Sequence, residues 1–412
     1  MTEDFKVQIE KIVSDGRGLG RMNGIACFVP KTAPLDEITV RETKRKKNYV
    51  ESEIVSIEKP SPMRIEPKCA YYEECGGCDI QHIDYKNHAE IKTSILKELL
   101  SKNGGIELCK EIKYFSKEEF GYRNKITLSI SEGRVGLLKE KTNRVIEIKE
   151  CLICSDKINE VIADIRSKII FDSRTEKIVI KSSRFGKTLA AFYTDCEREE
   201  NVPPFIREIK ADSIVELLKD RTALYIKGKG TLSEIIDGRV FTYSYPTFMQ
   251  VNPGIANEMV SFITKKIKRG GSMIDLFSGV GIYSILFSNL FGEVVSVESN
   301  KASVHYMRKN IAENKAKNVN PVQRFVDEKL EFDDKGFDVC IIDPPREGVH
   351  PMAMKRIFDG VSKQIIYISC DAATLARDLK MAAGSGFEIK DIAIFDMFPN
   401  TIHFETVVIL EK

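Results

Sequence analysis

The feature that most constrains the fold is a regular alternation of short apolar strands and helices that begins near residue 255. Each of several apolar segments ends in a turn and leads into a stretch with helical periodicity. The segments are MIDLF (273–277), GEVVSVES (292–299), FDVCIIDPP (337–345) and QIIYISC (364–370). Short apolar strands that alternate with helices predict a parallel sheet, doubly wound and covered by helices on both faces. The C-terminal part of the chain is therefore predicted to be a Rossmann-like α/β domain.

A glycine turn follows the first of these strands, in DLFSGVGIYS (275–284). Gly279 and Gly281 let the backbone approach a ligand, and the helix that follows offers free N–H groups at its start. No third glycine stands at the dinucleotide position, which disfavours NAD. Glu298 ends the second strand, where a carboxylate can accept hydrogen bonds from ribose hydroxyls. The combination predicts a nucleoside site and looks like a class I S-adenosylmethionine-dependent methyltransferase.

Two further strand ends carry reactive side chains. IIDPPREG (341–348) ends the third strand with Asp343, and its prolines turn the chain out of the sheet. Arg346 stands where an amino-methylating enzyme has an aromatic residue, so carbon methylation is the better interpretation. Cys370 ends the next strand and is either a packed core thiol or a nucleophile. We favour the nucleophile, because the amide groups that open DAATLARD (371–378) are expected to stabilise a thiolate.

Carbon 5 of uracil is a methylation target that requires such a nucleophile, because this ring carbon alone reacts poorly with a methyl donor. Addition of a thiolate at carbon 6 turns the ring into an enolate with electron density at carbon 5, which can take the methyl group. A base must then remove the proton from carbon 5 so that the thiol can leave. The sequence offers Glu405 for this step, in DMFPNTIHFETVVIL (396–410).

Five segments, in order, closely resemble the RNA 5-methyluridine methyltransferases. They are FMQVNP (248–253), DLFSGVG (275–281), DPPREG (343–348), SCDAATLARD (369–378) and DMFPNTIHFE (396–405). The resemblance implies that Cys370 is the nucleophile and Glu405 the proton-abstracting base. It also implies a methyl-donor site, beside the turn of Gly279 and Gly281, at Gln250, Phe277, Glu298 and Asp343.

Ten cysteines in a chain without an export signal point to metal or catalytic chemistry rather than to disulfides. Cys69, Cys75 and Cys78 lie close together in CAYYEECGGC, and three thiolates need a fourth ligand for either zinc or a four-iron cluster. The resemblance implies a [4Fe-4S] cluster whose fourth ligand is Cys151, with Cys154 as the alternative. Structural zinc is the competing interpretation.

The alternation and glycine pattern predict three domains. Residues 1–59 read as short strands broken by glycines, typical of a small OB-type β-barrel, and resemble the RNA-binding TRAM domain. The basic run RETKRKK (41–47) is either an RNA phosphate contact or a solvated face. Residues 60–245 are predicted to form an α+β domain with the iron–sulfur site, whose helix 88–102 is expected to pack on the catalytic domain. Residues 246–412 form the predicted methyltransferase domain.

The sequence thus predicts an enzyme that transfers a methyl group from S-adenosylmethionine to carbon 5 of a uridine in structured RNA. The resemblance favours 23S rRNA, with the tRNA T-loop as the alternative, and a non-catalytic RNA-binding factor as the contrasting class. Tyr122 and Arg123 are either RNA contacts or part of a turn. No apolar run is long enough for a membrane span, and we expect a cytoplasmic monomer.

Overall fold

The computed structural model describes residues 4–108, 110–168, 174–197, 203–332 and 336–412. Its first unit is a closed barrel in which the strands follow the order β1-β2-β3-β5-β4. These strands are β1 (Asp4–Ile12), β2 (Gly18–Met22), β3 (Ile25–Val29), β4 (Glu37–Arg45) and β5 (Tyr49–Lys59). Alternate side chains, such as Val7 and Ile9 of β1, fill the interior, as the strand period of two requires. The predicted small barrel is confirmed.

A helix and a short strand follow the barrel and residues 69–78, which carry Cys69, Cys75 and Cys78 and which we call the cysteine segment. They are α1 (His88–Leu99), which continues into a π-helical turn (Leu100–Gly104), and β6 (Lys113–Phe115). The apolar side chains Ile91, Ile95 and Leu96 of α1 belong to the same core as the helices of the catalytic domain. This stretch, placed by the sequence in the central domain, therefore packs with the catalytic domain.

The central domain is built on a seven-stranded sheet with the order β13-β12-β11-β10-β7-β8-β9. Its strands are β7 (Lys125–Ser131), β8 (Arg134–Leu138), β9 (Val145–Glu147), β10 (Thr175–Ser182), β11 (Thr188–Thr194), β12 (Ser213–Leu217) and β13 (Ala223–Lys227). Two helices, α2 (Asp156–Lys168) and α3 (Pro204–Glu208), contribute to the core on one face. The other face contributes Val179, Ala191 and Leu217 to the core of the catalytic domain.

A hairpin of β14 (Thr231–Ile236) and β15 (Arg239–Ser244) leads into the catalytic domain. The strands of this domain are β16 (Gly270–Leu276), β17 (Phe291–Glu298), β18 (Val319–Gln323), β19 (Phe337–Ile342), β20 (Val361–Ser369), β21 (Glu388–Phe395) and β22 (Glu405–Glu411). The helices are α4 (Pro253–Thr264), α5 (Ile282–Phe287), α6 (Lys301–Glu313), α7 (Pro351–Gly360) and α8 (Ala372–Ala382).

These strands form an eight-stranded sheet with the order β18-β17-β16-β19-β20-β22-β21-β6. The first five strands in this order are parallel, as the alternating pattern predicted, and β22 runs antiparallel to both of its neighbours. The carboxyl ends of β16, β17, β19 and β20 consequently lie along one edge, where open α/β sheets bind their ligands. No helix in the described ranges has the length and apolar composition needed to cross a membrane.

Candidate active site

The glycine turn after β16 forms an open cradle. Phe277 and Gly279 have φ angles of 61° and 55°, so the chain turns sharply through left-handed conformations there. A Cβ atom placed on Gly279 would meet no atom of the described part of the chain within 4 Å, whereas one on Gly281 would come 2.8 Å from Cγ of Met307. Gly281 is thus required for packing against α6, and the backbone at Gly279 is left accessible to a ligand.

Glu298 at the end of β17 holds this turn in place. Its Oε2 accepts a hydrogen bond from the amide of Gly279 at 2.9 Å, and its Oε1 accepts from the amide of Asn300 at 2.7 Å. The structure therefore brings Glu298 and the glycine turn together. The carboxylate has a partner on each oxygen and remains half-buried at the mouth of the cradle.

Two carboxyl groups, one fully buried and one partly buried, lie behind the cradle. Burial raises the pKa of Asp275, on β16, to about 7, and the charge of Glu298 adds to the effect. Burial, together with the charge of Asp275, likewise raises the pKa of Asp343, which follows β19, to about 7. The Oδ2 atom of Asp275 accepts from the amide of Ser284 at 3.0 Å, whereas its Oδ1 has no partner among the described residues. Sequence reasoning missed Asp275, although an aspartate inside an apolar strand was a usable signal.

Gln250 is fixed by the central domain. Its main-chain oxygen accepts a hydrogen bond from the side-chain Nδ2 of Asn124 at 3.1 Å. The main-chain amide of Asn124 donates to the main-chain oxygen of Val251 at 2.9 Å. The next element, α4, begins at Pro253 with Asn252 as its N-cap, since the side chain of Asn252 accepts from the amide of Ile255. Hydrogen bonds at Gln250, Val251 and Asn252 therefore fix the position of this segment.

Cys370 and Glu405 are brought together by strand register. Ser369, the last residue of β20, pairs with Thr406 of β22. The same antiparallel register, continued by one residue, sets Cys370 opposite Glu405. Asp371 then caps α8 by accepting a hydrogen bond from the amide of Thr374 at 2.8 Å, so the turn that carries the cysteine is held on both sides.

The electrostatic surroundings of Cys370 differ from the sequence expectation. Burial, with the charges of Glu405 and Asp343 adding to its effect, raises the pKa of the Cys370 thiol to about 12. Arg346 acts in the opposite direction. The sequence prediction that Cys370 is held as a thiolate is therefore wrong, because burial and the two carboxyl charges favour the protonated thiol.

Glu405 is buried, and its pKa lies well above the usual range of a carboxyl group. Burial is the main cause, the charge of Asp343 adds to it, and Arg346 opposes it. A carboxylate with a raised pKa is a stronger proton acceptor than an ordinary one. The environment of Glu405 is thus suited to taking a proton from carbon.

Arg346 is a functional candidate that the sequence reasoning used only to exclude amino methylation. Its side chain is exposed and acts electrostatically on both Cys370 and Glu405. The loop that carries it is tied to α8, because Asp378 accepts from the amide of Val349 at 3.2 Å and the guanidinium of Arg377 donates to the oxygen of Val349 at 3.1 Å. The useful signal was a cation directly after the two prolines of the third strand end.

Residues 396–404, between β21 and β22, form a segment that we call the base loop because it leads directly to Glu405. The ammonium group of Lys92, on α1, donates to Asp396 Oδ1 at 2.7 Å and to the main-chain oxygens of Phe398 and His403 at 3.2 and 2.9 Å. Both charged side chains of the Lys92–Asp396 pair are fully buried. The conformation of the base loop is therefore imposed from outside the catalytic domain.

The predicted cluster cysteines line one cavity of about 370 Å³. Phe398, Thr401 and His403 of the base loop and Arg346 also line it, so it adjoins the catalytic residues. The cysteines that line it are Cys69, Cys75, Cys78, Cys151 and Cys154.

Of the two candidates for a fourth ligand, Cys151 is partly exposed whereas Cys154 is 1 % exposed and packed in the central core. Hydrogen bonding from Cys154 lowers the pKa of Cys151 to about 7. Within the described ranges, no group of three or more histidine, cysteine, aspartate or glutamate side chains is arranged to hold a metal ion.

Two predicted RNA contacts have different outcomes. Tyr122 is 7 % exposed and donates its hydroxyl hydrogen bond to the oxygen of Pro399 at 3.0 Å, so its ring is a packing element and the stacking role considered for it is wrong. The basic run 41–47 lies at the end of the β4–β5 hairpin, and all of its lysine and arginine side chains are exposed. The run therefore remains available to a partner.

The parallel strands, the glycine cradle and the antiparallel β22 between β20 and β21 together define a class I methyltransferase fold. Two family models match the chain: the TRAM domain over residues 3–55 and the tRNA (uracil-5-)-methyltransferase family over residues 228–412. The chain belongs to the family of RNA (uracil-5-)-methyltransferases that carry a TRAM domain. The resemblance inferred from the sequence motifs is confirmed, and the protein is assigned to an enzyme family.

Similar proteins cover nearly the whole chain. An uncharacterised RNA methyltransferase of Aquifex aeolicus is 30% identical, over 99% of this chain and 98% of its own length. An uncharacterised RNA methyltransferase of Synechocystis is also 30% identical, over 96% of this chain and 93% of its own length. The tRNA (uracil-54, C5)-methyltransferase of Pyrococcus abyssi, solved with S-adenosyl-L-homocysteine, aligns with a TM-score of 0.80 and 28% identity, over 98% of this chain and 99% of that structure.

Proposed function

We propose that this protein transfers a methyl group from S-adenosylmethionine to carbon 5 of an RNA uridine through a covalent bond between Cys370 and the uracil ring. The observation that carries the proposal is the β20–β22 pairing: Cys370 directly follows the last paired residue of β20, Glu405 directly precedes that residue's partner on β22, and the charge of Glu405 acts on the Cys370 thiol. A nucleophile and a buried carboxyl group side by side are what addition and proton removal require.

The residues of the cradle fit the methyl donor. Gly279 leaves its backbone open, and Glu298 offers a carboxylate at the strand end. Behind the turn, Oδ1 of Asp275 is buried and has no hydrogen-bond partner among the described residues. We assign the donor to this cradle, with Gln250, Phe277, Gly281 and Asp343 as further contacts. The donor's sulfonium supplies an electrophilic methyl group.

The proposed reaction begins with Cys370. Its thiol loses a proton to solvent, and the resulting sulfur anion bonds to carbon 6 of uracil. The electron pair of the carbon 5–carbon 6 double bond moves toward the carbonyl at carbon 4 and forms an enolate. Arg346 stabilises the negative charge on sulfur, because its charge opposes the effects of Glu405 and Asp343 on the thiol. Carbon 5 then uses the enolate pair to bond the methyl group, while the methyl–sulfur bond of the donor breaks and its electron pair stays on sulfur, so that S-adenosylhomocysteine is the leaving group.

Glu405 completes the cycle. It takes the proton from carbon 5, the carbon–hydrogen electron pair reforms the double bond, and the bond between carbon 6 and the Cys370 sulfur breaks. The net change is the replacement of the carbon 5 hydrogen by a methyl group. Because burial raises the pKa of Glu405, its ionised form is a stronger acceptor for the carbon 5 proton than an exposed carboxylate would be.

The covalent intermediate provides the test. In Glu405→Gln, addition and methyl transfer should proceed but release should stall, so a denaturation-resistant protein–RNA adduct that carries the methyl group should accumulate. The adduct should be absent in Cys370→Ala and in the double variant. Rapid turnover by Glu405→Gln, or an adduct that forms without Cys370, would refute the assignment of the two roles.

For the RNA, we propose a uridine of 23S rRNA that is unpaired or can leave its stack, because a stacked base cannot reach a buried cysteine. The support is the combination of cluster cysteines and a TRAM barrel. The tRNA T-loop is the second candidate, favoured by the similarity to the Pyrococcus abyssi enzyme. Mass spectrometry of rRNA and tRNA from a deletion strain should show which 5-methyluridine is lost. Loss from tRNA alone would exclude the rRNA proposal.

We further propose that Cys69, Cys75, Cys78 and Cys151 hold a [4Fe-4S] cluster. In such a cluster each thiolate binds a different iron, so the four thiols need to surround a cavity rather than meet at a point, and these four share one cavity. When bound, the cluster would cross-link the cysteine segment to the central domain. No proton or methyl transfer above requires an electron, and we assign the cluster no redox step.

Metal analysis tests this assignment. Protein purified without oxygen should be brown and contain about four irons per chain. Cys154→Ser should keep the colour and Cys151→Ser should lose it, because Cys154 is packed in the core and Cys151 is not. A colourless protein with one zinc would refute the cluster. We place the enzyme in the cytoplasm as a monomer, which sedimentation of the purified protein can check.

A further inference from the structure

The base loop meets the cysteine segment 69–78 through Asp79, the residue that follows the last cysteine. The amides of Asp79 and Ile80 both donate to the main-chain oxygen of Asn400, at 3.1 and 3.2 Å. In return, the amide of Ile402 donates to Oδ2 of Asp79 at 3.1 Å. Hydrogen bonds therefore run in both directions between the two segments.

The part of the base loop that accepts these hydrogen bonds is held in one conformation by its own contacts. Asn400 is fully buried with a φ angle of 66°, and its side-chain amide donates to the oxygen of Glu119 at 3.1 Å. Only two residues separate Ile402 from Glu405. A displacement at Ile402 must therefore reach Glu405 through the backbone.

Cys370 is held by other elements. It follows β20, and its turn is fixed by the pairing of Ser369 with Thr406 and by the capping bond of Asp371. The Asp79 contacts thus bear on the carboxylate of the proposed active site more directly than on its nucleophile.

Asp79 is itself immobilised from two more sides. The hydroxyl of Tyr72 donates to its main-chain oxygen at 2.7 Å, and a Cβ on Gly16 of the barrel would lie 3.1 Å from its Cβ. It also lines a groove of about 890 Å³ between the barrel and the central domain. The barrel, the cysteine segment and the base loop therefore converge on this one side chain.

We propose that Asp79 is a positioning residue for the release step: it transmits the order of the cysteine segment to the base loop and so sets the carboxylate of Glu405. The inference rests on the proposed function, in which Glu405 removes the carbon 5 proton. It predicts that loss of Asp79 slows release of the covalent intermediate more than its formation.

Two RNA substrates separate the steps. On 5-fluorouridine RNA there is no proton at carbon 5 to remove, so the rate of adduct formation reports addition and methyl transfer alone. On uridine RNA, turnover also requires release. Asp79→Ala should form the fluorouridine adduct at a rate within about twofold of wild type. Its turnover on uridine RNA should fall at least about tenfold, the effect of losing a hydrogen bond to a charged group, and the methylated adduct should accumulate.

Two variants serve as controls. Asp79→Asn keeps an acceptor for the Ile402 amide and should restore most of the turnover. Glu74→Gln changes an exposed side chain of the same cysteine segment whose ion-pair partner is Lys139, and it should behave as wild type. Iron content is measured in every variant, so that an effect of Asp79 is not confused with loss of metal.

Hydrogen exchange supplies a readout that is independent of activity. The Ile402 amide should exchange faster in Asp79→Ala than in wild type, and faster in wild type from which iron has been removed. The proposal would be overturned if Asp79→Ala slowed adduct formation and turnover equally, or slowed neither. It would also be overturned if the Ile402 amide of Asp79→Ala exchanged at the wild-type rate. Should Asp79→Ala fail to fold, Asp79→Glu, which displaces the carboxylate by one methylene, is subject to the same criteria.

Failure of the proposed function has a different signature. In that case wild type would form no adduct with 5-fluorouridine RNA, or the adduct would persist in Cys370→Ala. If wild type forms the adduct normally, and Asp79→Ala slows adduct formation and turnover by the same factor, only the positioning role of Asp79 is rejected.

Discussion

Replacement of Lys92 by methionine should destabilise the catalytic domain strongly. The ammonium group of Lys92 makes three hydrogen bonds to the base loop, and the Lys92–Asp396 pair is fully buried. Without the ammonium group, Asp396 keeps the hydroxyl of Tyr85 as a side-chain donor, at 2.9 Å, and two main-chain oxygens lose a donor. Methionine fills similar volume but offers no donor.

The magnitude follows from the burial. Breaking a buried ion pair by removing one partner costs about 3–5 kcal/mol, because the remaining charge is left uncompensated. At about 3 °C per kcal/mol for a domain of this size, the melting temperature should fall by roughly 9–15 °C. An exposed lysine pair contributes about 0–1 kcal/mol, so Lys86→Met, which removes the surface partner of Asp84, is the matched control and should shift melting by about 3 °C at most.

The assay is thermal and urea unfolding followed by circular dichroism, since the chain contains no tryptophan. A double-mutant cycle with Asp396→Asn isolates the pair, and the double variant should cost about 2 kcal/mol less than the sum of the single variants. A decrease in the free energy of unfolding below about 1 kcal/mol in Lys92→Met, or strict additivity in the cycle, would show that the ion pair does not stabilise the base loop.

Two further predictions concern reactivity and RNA binding. Alkylation of Cys370, measured by peptide mass spectrometry, should keep rising to at least pH 9, because burial and neighbouring carboxyl groups raise the thiol pKa to about 12. Glu405→Gln should move this profile to lower pH, because the charge of Glu405 raises the thiol pKa, and Arg346→Met should move it to higher pH, because Arg346 lowers that pKa. Shifts of the two variants in the same direction would contradict these electrostatic effects. Neutralising the exposed lysines of the run 41–47 should weaken RNA binding and reduce the slope of log K against log salt by about 0.9 for each phosphate that the protein no longer neutralises. An unchanged slope would show that residues 41–47 are a solvated face and do not contact RNA phosphates.

The parts that the sequence predicted well depend on local patterns. The strand–helix alternation after residue 255 gave the parallel sheet, and the glycine spacing marked a turn whose amide at Gly279 is bonded to Glu298. Periodicity and turn chemistry act over a few residues, so they can be read from one sequence. The motif resemblance to the uracil-5 methyltransferases reached further, and the family comparisons confirm it.

The parts that were missed depend on distant contacts. The high pKa of Cys370 comes from burial and from carboxyl groups at the ends of other strands, and neither can be read from the residues that neighbour the cysteine in sequence. The sequence left Tyr122 open between an RNA contact and part of a turn, because its partner, Pro399, is remote in sequence. Lys92 and Asp79 carried no local signal for the same reason. Such contacts exist only once the separate elements have packed.

The short strand β6 has a consequence for how the chain must be made and handled. Its three residues pair with the outer side of β21, about 280 residues further along the chain. During synthesis β6 has to wait for most of the protein to be completed before its partner exists, and such remote pairing is slow to form. A fragment cut at residue 246 would leave β21 as a bare edge, ready to pair with other molecules. The catalytic domain should therefore fold only with its N-terminal half attached, and attempts to express it alone should yield aggregates.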